Sequence, residues 1–261
     1  MEVKELVEIL KLQGESKKFI QDEIIIEHPF TIFLNEKELV TILCTPDLLK
    51  ELTVGFLFSE NYIEDLGEIE KMKLGEESKT IYLSIKEKNR ELRDKYRGRR
   101  TITSGCGKNT SFYNVIDSKT SSKISKTINI DPTTITQLMK KFNELSVLFK
   151  ETGGVHSCAL CSSDGILFYA EDIGRHNALD KVLGSGHLEG IDFDDKIVLT
   201  TGRISSEMLI KAAKRKIPII ISRSAPTSLA IDIAKELDIT LIGFARVDKM
   251  NIYNNFQSII F

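Results

Sequence analysis

The chain has 261 residues, of which 41% are hydrophobic and 28% are charged, and its formal net charge is -2. That length allows one large domain or two modest ones, and the composition is that of a globular protein with a sizeable core. A net charge so near zero argues against bulk electrostatic attraction to nucleic acid or to an acidic membrane surface. It leaves room for a local anion site.

Residues 1–14 predict a short amphipathic helix, and the acidic residues that run through them are unlike a secretory signal. No stretch approaches the roughly 18 apolar residues that a membrane span requires. The four cysteines lack the even spacing of a disulfide framework, which favours a reducing compartment. We therefore expect a cytoplasmic protein.

Residues 1–117 are predicted to form a small α+β domain. The strand signals are the β-branched or alternating runs at 23–27, 30–34, 39–43, 68–74 and 80–85. Residues 45–47 supply a capping residue and an early proline, and apolar residues then recur at helical spacing over 48–57. Residues 118–130 are rich in serine, lysine and threonine and are interpreted as a linker.

Cys106 lies between Gly105 and Gly107 and follows the basic run at 97–100. Its neighbours are polar and flexible, and nearby cations lower a thiol pKa and raise the fraction of nucleophilic thiolate. The alternative is a small packed side chain on a turn, since free cysteine is often buried. We expect a reactive thiol on the loop that leads out of the first domain.

Residues 131–261 predict a second domain in which strands alternate with helices. Asp131 caps a helix that begins at Pro132, and one apolar face runs from Ile135 to Phe149. A hairpin with strands at 155–161 and 166–169 is followed by helices at 175–183, 206–214 and 227–237 and strands at 196–200, 217–221 and 240–244. This alternation indicates a largely parallel sheet within an α/β/α sandwich.

His156, Cys158 and Cys161 could be interpreted as zinc ligands, because a Cys-x-x-Cys stands near a histidine. On a strand, however, His156 and Cys158 face one side and Cys161 faces the other. No second Cys-x-x-Cys or neighbouring histidine supplies the remaining ligand. Core packing of the two thiols is the favoured interpretation, and no structural metal is expected.

The segment after the hairpin carries four groups that could transfer protons, namely Glu171, Asp172, His176 and Asp180. His176 and Asp180 lie one turn apart on the expected helix. Acidic residues at a helix start are at least as often partners of the helix dipole, so both interpretations stay open. Arg175 and His176 could also line a site for an anionic ligand.

An arginine follows each of the three predicted parallel strands, at Arg203, Arg223 and Arg246. Ligands of open α/β sheets bind beyond the carboxyl ends of the strands, where these residues should meet. Helix starts and guanidinium groups both bind phosphate, so the three together predict an anion site. The candidate capping residues of the following helices are Ser205 or Ser206, and Ser224. Neither a P-loop nor a Rossmann fingerprint is present.

Seven segments in unbroken order carry a family resemblance. They are residues 97–100, 104–107, 152–156, 171–181, 201–208, 222–227 and 243–246. They resemble the FdhD/NarQ family of sulfur carrier proteins, accessory factors required for formate dehydrogenase activity. The family's C-terminal domain resembles the cytidine deaminase fold, which implies a cytidine-deaminase-like sandwich here. The chain lacks the deaminase zinc signature, in which a His-x-Glu is followed by a Pro-Cys-x-x-Cys, so deaminase chemistry is not implied.

The resemblance implies that a cysteine desulfurase loads persulfide sulfur onto Cys106. The sulfur then passes to the molybdenum or tungsten bis-pterin guanine dinucleotide cofactor before insertion into formate dehydrogenase, and GDP serves as a fragment mimic of that cofactor. Many members carry Cys-x-x-Cys at this position, whereas Asn109 stands here in place of the second thiol. A carrier with one cysteine is therefore implied, and a homodimer is expected from the family alone.

The resemblance also places the family's cofactor-binding segment just after the last strand. The residues that correspond to it are Phe244, Ala245, Arg246, Val247, Asp248 and Lys249. The other expected cofactor-binding residues are Arg203, Ser222, Arg223, Arg175 and His176.

Two other functional classes stay open. A nucleotide-binding regulatory module would use the arginines without Cys106, and a zinc-dependent deaminase-like hydrolase would need metal at His156, Cys158 and Cys161. Sulfur loading of the protein distinguishes the first class, and metal analysis distinguishes the second.

Overall fold

The computed structural model describes residues 1–75, 78–86, 123–124 and 128–260. Within these ranges the strands form three sheets, of two, four and six strands. The predicted carrier Cys106 and most of the predicted linker at 118–130 lie outside the described residues.

The N-terminal residues form a hairpin, so the helix predicted for 1–14 is wrong. Strand β1 (Lys4–Gln13) pairs antiparallel with β2 (Ser16–Ile25) along its whole length. Leu6 and Leu10 fit a period of two as well as a helical spacing, so the pattern is ambiguous. An isolated helix this short is marginal in water, whereas β2 offers ten residues for pairing.

The second sheet confirms the strands predicted at 30–34, 39–43, 68–74 and 80–85, whereas the run predicted at 23–27 falls at the end of β2. Its strands are β3 (His28–Leu34), β4 (Lys37–Cys44), β5 (Ile69–Leu74) and β6 (Thr80–Ile85), in the order β4-β3-β6-β5. Helix α1 (Leu49–Ser59) packs on this sheet, with Leu52 and Leu57 buried against Phe30 and Ile32. The cap predicted at 45–47 is wrong, because α1 begins after Leu48 without a side-chain cap.

The third sheet has the order β12-β11-β10-β9-β7-β8. Its strands are β7 (His156–Cys161), β8 (Ile166–Asp172), β9 (Ile197–Thr200), β10 (Ile219–Ser222), β11 (Thr240–Gly243) and β12 (Asn251–Ile252). Strands β9, β10 and β11 run parallel, and all of their residues are buried, as expected for parallel strands covered on both faces. The predicted alternation of strands and helices is confirmed.

Helices cover both faces of this sheet. They are α2 (Pro132–Leu145), α3 (Val147–Thr152), α4 (Arg175–Leu188), α5 (Ser206–Lys214) and α6 (Ser228–Leu237). The core on one face contains residues of α2, and the core on the other face contains residues of α4, α5 and α6. No helix in the described part of the chain is long and apolar enough to cross a membrane.

The single helix predicted from Pro132, with its apolar face at 135–149, is wrong, because α2 ends at Leu145 and α3 begins at Val147, with Ser146 between them. The carboxylate of Glu171 accepts the backbone N–H groups of Leu148 and Phe149, each at 3.0 Å. These bonds satisfy amide groups that begin α3, which would otherwise continue the hydrogen bonding of α2. The cap of α2 is as predicted, since Asp131 accepts the N–H of Thr134 at 2.9 Å.

A close crossing of α1 and α4 joins the four-stranded and six-stranded sheets. Gly55 and Gly184 face the opposite helix at this crossing, and neither position has room for a side chain. A Cβ atom on Gly55 would overlap the carbonyl oxygen of Asp180, and one on Gly184 would overlap that of Glu51. The two backbones therefore touch, which only glycine allows.

Replacing Gly184 by alanine should destabilise the protein, because the new methyl group meets backbone rather than a flexible side chain. Overpacking costs typically about 1–3 kcal/mol, and we expect a loss near the upper end in urea unfolding followed by circular dichroism. Gly165→Ala is the matched control, because a Cβ there meets nothing within 4 Å. Equal stability of the two variants would contradict the close crossing.

Candidate functional site

Three loops at the carboxyl edge of the six-stranded sheet are joined by hydrogen bonds. Ser222 Oγ donates to the carbonyl oxygen of Gly202 at 2.7 Å, and Ser224 Oγ donates to that of Thr201 at 2.8 Å. The N–H of Ala245 donates to the carbonyl oxygen of Ser222 at 2.9 Å. The ends of β9, β10 and β11 therefore form one surface. We call it the rim and define it by residues 201–205, 222–226 and 244–249.

Two of the predicted arginines lie together on the rim. Arg246 Nη1 donates to the carbonyl oxygen of Arg223 at 2.6 Å and to that of Ala245 at 2.9 Å. Burial lowers the pKa of Arg223, and the neighbouring charge of Arg246 lowers it further. A bound anion would relieve this repulsion between like charges.

Arg175, at the start of α4, and Arg203, on the rim, form a second pair of neighbouring cations. Arg175 packs against Gly202, where a Cβ atom would lie 2.8 Å from that of Arg175. Burial lowers the pKa of Arg175, nearby Arg203 lowers it further, and Glu207 opposes the shift. Within the described residues, the buried Nε of Arg175 has no hydrogen-bond partner. This pair is a further place where an anion would be favoured.

His176 follows Arg175 on α4 and lies against Glu207, with 3.3 Å between Nε2 and Oε2. Burial, with help from Lys211 and Arg175, lowers the pKa of His176 to about 2. Its ring is therefore neutral near pH 7 and unsuited to donate a proton as a general acid. Burial also lowers the pKa of His156, whose Nδ1 lies 3.5 Å from Thr201 Oγ1.

The residues after β11 have different roles in the rim. Ala245 is fully buried and contributes to its architecture, as does the buried Ser222 at the end of β10. Phe244 adopts a left-handed backbone with φ of 51°, and the residue is 42% exposed. The N–H of Arg246 donates to the carbonyl oxygen of Lys249 at 2.7 Å and closes a turn that exposes Val247 and Asp248. Phe244 and Arg246 thus remain the best placed to meet a ligand.

Two buried ion pairs hold two of the three carboxylates that were candidates for proton transfer. Asp172 Oδ2 lies 2.8 Å from Lys181 Nζ, and both side chains are 0% exposed. Asp180 Oδ2 lies 2.5 Å from Lys211 Nζ, and both side chains are 2% exposed. Glu171 is bonded to the start of α3. These contacts favour the structural interpretation of all three carboxylates over proton transfer.

The Asp172 pair also reaches the segment between β4 and α1. Lys181 Nζ donates to Thr45 Oγ1 and to Asp47 Oδ1, each at 2.5 Å. The N–H of Thr45 donates to Asp172 Oδ2 at 3.1 Å, and Ser59 Oγ donates to Asp180 Oδ1 at 2.7 Å. Both ion pairs therefore connect the segments around α1 to α4.

Sequence reasoning did not single out Lys181, Lys211 or Glu207. Lys181 ends the segment 171–181, five residues after His176, and its place beside these candidate residues could have identified it as a functional residue. Each of the three is a charged side chain that is buried within its helix. The helix caps were only partly predicted, because Ser205 caps α5, whereas Thr227 rather than Ser224 caps α6.

The three described cysteines, Cys44, Cys158 and Cys161, are free and buried. Burial raises the pKa of Cys44 and of Cys161 to about 12 and also raises that of Cys158. Cys158 and Cys161 belong to cores on opposite faces of the sheet, which confirms their packing role. In the part of the chain that the structure describes, no group of three or more potential ligand side chains is arranged to hold a metal ion.

The chain is similar to known proteins over almost its whole length. A model of the FdhD/NarQ family matches residues 25–260. A Listeria innocua serovar 6a protein named sulfur carrier protein FdhD is 42% identical over 261 residues, which cover 99% of this chain and 100% of that protein. A Bacillus subtilis protein of the same name is 43% identical over 243 residues, which cover 93% and 92%.

A solved structure is similar as well. It is a crystal structure described as that of a formate dehydrogenase accessory protein from Desulfotalea psychrophila. The TM-score is 0.81 at 27% sequence identity, and the match covers 99% of this chain and 100% of that one. The similarity in structure thus extends over both large sheets.

Replacing Lys181 by methionine should destabilise the protein strongly, because Asp172 would remain buried without its counter-charge. Breaking a buried ion pair by removing one partner costs about 3–5 kcal/mol, which urea unfolding would measure. Lys150→Met, at an exposed position, is the control. The double variant Lys181→Met with Asp172→Asn should recover part of the loss. A loss below about 1 kcal/mol would contradict this account of the pair, since exposed ion pairs contribute no more than that.

Proposed function

The chain belongs to the FdhD/NarQ family, and from this membership we propose that it is a sulfur carrier required for formate dehydrogenase activity. The observation that carries the proposal is the extent of the similarity. The family match runs from residue 25 to residue 260, and so it includes both Cys106 and the whole rim. Relatives named as sulfur carrier proteins match at 42–43% identity over more than nine tenths of this chain.

We propose that Cys106 carries the sulfur. Its thiolate attacks the outer sulfur of a persulfide on a cysteine desulfurase, the S–S bond of that persulfide breaks, and the desulfurase thiolate leaves. Cys106 then holds a persulfide. In the second transfer the outer sulfur passes to the metal of the acceptor cofactor, which supplies two electrons, and Cys106 returns to the thiolate.

Support for Cys106 comes from the other three cysteines. Each is buried, and burial raises the pKa of each thiol well above its usual range. A thiol must be accessible and substantially ionised to attack a persulfide, so these three are unsuited to the reaction. Cys106 is the one remaining cysteine of the sequence, and Asn109 follows it where a second loop thiol would stand.

We propose that the rim binds the acceptor, the molybdenum or tungsten bis-pterin guanine dinucleotide cofactor, as a substrate. Arginine forks suit the oxygens of a diphosphate, and the two pairs Arg175 with Arg203 and Arg223 with Arg246 bring like charges close together. The exposed ring of Phe244 offers a flat surface on which a guanine base could stack. These features support a nucleotide-bearing ligand at this edge.

The proposal extends to the fold, the domains, the partners and the cellular location of the protein. The six-stranded sheet with its helices is a cytidine-deaminase-like sandwich, and the chain divides into residues 1–117, 118–130 and 131–261. The partners are a cysteine desulfurase and the catalytic subunit of formate dehydrogenase, and the protein works in the cytoplasm as a homodimer. Support for the cytoplasm comes from the three described thiols, none of which is paired in a disulfide.

Incubation with a cysteine desulfurase and cysteine should add the mass of one sulfur atom, and intact-protein mass spectrometry would detect it. Cys106→Ser should remain unloaded. The matched control replaces Cys44, Cys158 and Cys161 by alanine, which avoids burying a hydroxyl group, and it should load like wild type. Loading that persists in Cys106→Ser would refute the carrier assignment. A wild type that never loads would favour a nucleotide-binding module without sulfur chemistry.

Alanine at Arg203, Arg223 or Arg246 should weaken the binding of GDP in a calorimetric titration. A hydrogen bond to a charged group contributes about 1.5–3 kcal/mol, so each variant should lose about 10- to 100-fold in affinity. Lys235→Ala, on the exposed side of α6, is the control and should bind like wild type. Three arginine variants that bind GDP with unchanged affinity would show that the phosphate site lies elsewhere.

A further inference from the structure

Three buried polar atoms lie together at the starts of α4 and α5 and have no hydrogen-bond partner among the described residues. They are Arg175 Nε, His176 Nδ1 and Glu207 Oε1. His176 Nε2 lies 3.3 Å from Glu207 Oε2, and the charges of Arg175 and Glu207 act on each other. We call these three residues the polar cluster. A buried polar atom without a partner is costly, so three at one place indicate that the protein binds a ligand there.

The polar cluster is continuous with the rim. Arg175 packs against Gly202 of the rim, and the charge of Arg203 acts on both Arg175 and His176. Glu207 is only 5% exposed and lies in the first turn of α5. A ligand whose phosphate is held by Arg203 therefore has its neighbouring groups beside the polar cluster.

The chemical character of the three atoms defines the ligand that they suit. Glu207 Oε1 is a carboxylate oxygen and accepts hydrogen bonds, whereas Arg175 Nε–H only donates. Burial lowers the pKa of His176 to about 2, so its ring is neutral near pH 7. Its Nε2 faces the carboxylate of Glu207, which favours the tautomer with the proton on Nε2 and leaves Nδ1 as an acceptor. The polar cluster thus offers two acceptors and one donor.

We infer that the polar cluster binds the 2-amino-4-oxopyrimidine edge that guanine and pterin rings share, and that Glu207 determines specificity for it. This edge carries an amino group, a ring N–H and a carbonyl oxygen in one plane, so it supplies two donors and one acceptor. Glu207 Oε1 accepts from the amino group, His176 Nδ1 accepts from the ring N–H, and Arg175 Nε donates to the carbonyl oxygen. The inference rests on the proposed function and names the residues that contact a ring of the acceptor.

The same chemistry excludes an adenine ring. Adenine has a bare ring nitrogen where guanine has its ring N–H, and an amino group where guanine has its carbonyl oxygen. A lone pair would therefore face His176 Nδ1, a donor would face Arg175 Nε–H, and Glu207 Oε1 would meet no amino group. A site built to hydrogen-bond a group strongly rejects an analogue that lacks it, because the buried partners are then left unpaired.

The acceptor has a guanine at one end and a pterin at the other, and either ring carries the required edge. Phe244 follows β11, which is separated by β10 from β9 and its loop with Gly202 and Arg203. A guanine stacked on Phe244 would leave the pterin to the polar cluster, whereas a guanine in the polar cluster would leave Phe244 to another part of the ligand. Two matched pairs of probes distinguish these sources.

Calorimetric titration of the full chain with GDP and with IDP, whose base lacks the amino group, tests for guanine. With guanine in the polar cluster, wild type should bind GDP at least about tenfold more tightly than IDP, the effect of one hydrogen bond to a charged group. Glu207→Met removes the acceptor at similar volume and should bring the two affinities together. The ratio is measured within one protein and so does not depend on the fraction that is folded. Glu236→Gln, exposed on α6, is the control and should keep the wild-type ratio.

Pterin and lumazine, which has an oxygen in place of the amino group, make the same comparison in a fluorescence titration. A Glu207-dependent preference for GDP assigns the polar cluster to guanine, and one for pterin assigns it to the pterin ring. Absence of both preferences in wild type, or a preference that persists in Glu207→Met, overturns the inference. GDP binding that still depends on Arg223 would then leave the phosphate site in place, and sulfur loading of Cys106 tests the carrier function separately.

Discussion

The buried ion pair between Asp172 and Lys181 is the interaction on which the arrangement of the two large sheets depends. Neither side chain reaches solvent, and Thr45 and Asp47 complete the hydrogen bonding of the lysine. Removing two charges from water is costly, and the cost is offset only when every polar atom finds a partner. The partners come from both sides of the contact, so the pair is satisfied only when the two sheets are docked.

The rim follows from the order of the strands rather than from any single motif. Strands β9, β10 and β11 are parallel neighbours, so the loops that leave them must emerge side by side. Serine side chains at Ser222 and Ser224 then fix these loops to one another through backbone carbonyl oxygens. The rim is thus rigid where it is bonded and cationic where the arginines project, which suits the recognition of a diphosphate.

The sequence predicted the sheet elements and the edge where the arginines meet, because period, turn chemistry and strand order are local or follow from chirality. It did not predict the N-terminal hairpin, since leucines such as Leu6 and Leu10 satisfy two periods. It also missed the break at Ser146, which depends on Glu171 from a strand 25 residues further on. The partners of Lys181 and Lys211 were equally out of reach, because long-range pairing of charges leaves no periodic signal in the chain.

The close crossing of α1 and α4 has a consequence for how the protein can be divided. Ser59 and Asp47 satisfy groups on α4, and Gly55 presses its backbone against that helix. A fragment that began at residue 131 would expose this helix surface and leave Asp180 and Lys181 without some of their partners. The six-stranded sheet is therefore not an autonomous folding module, and any rearrangement of the gene that separated it from the four-stranded sheet would produce a chain that aggregates or is degraded.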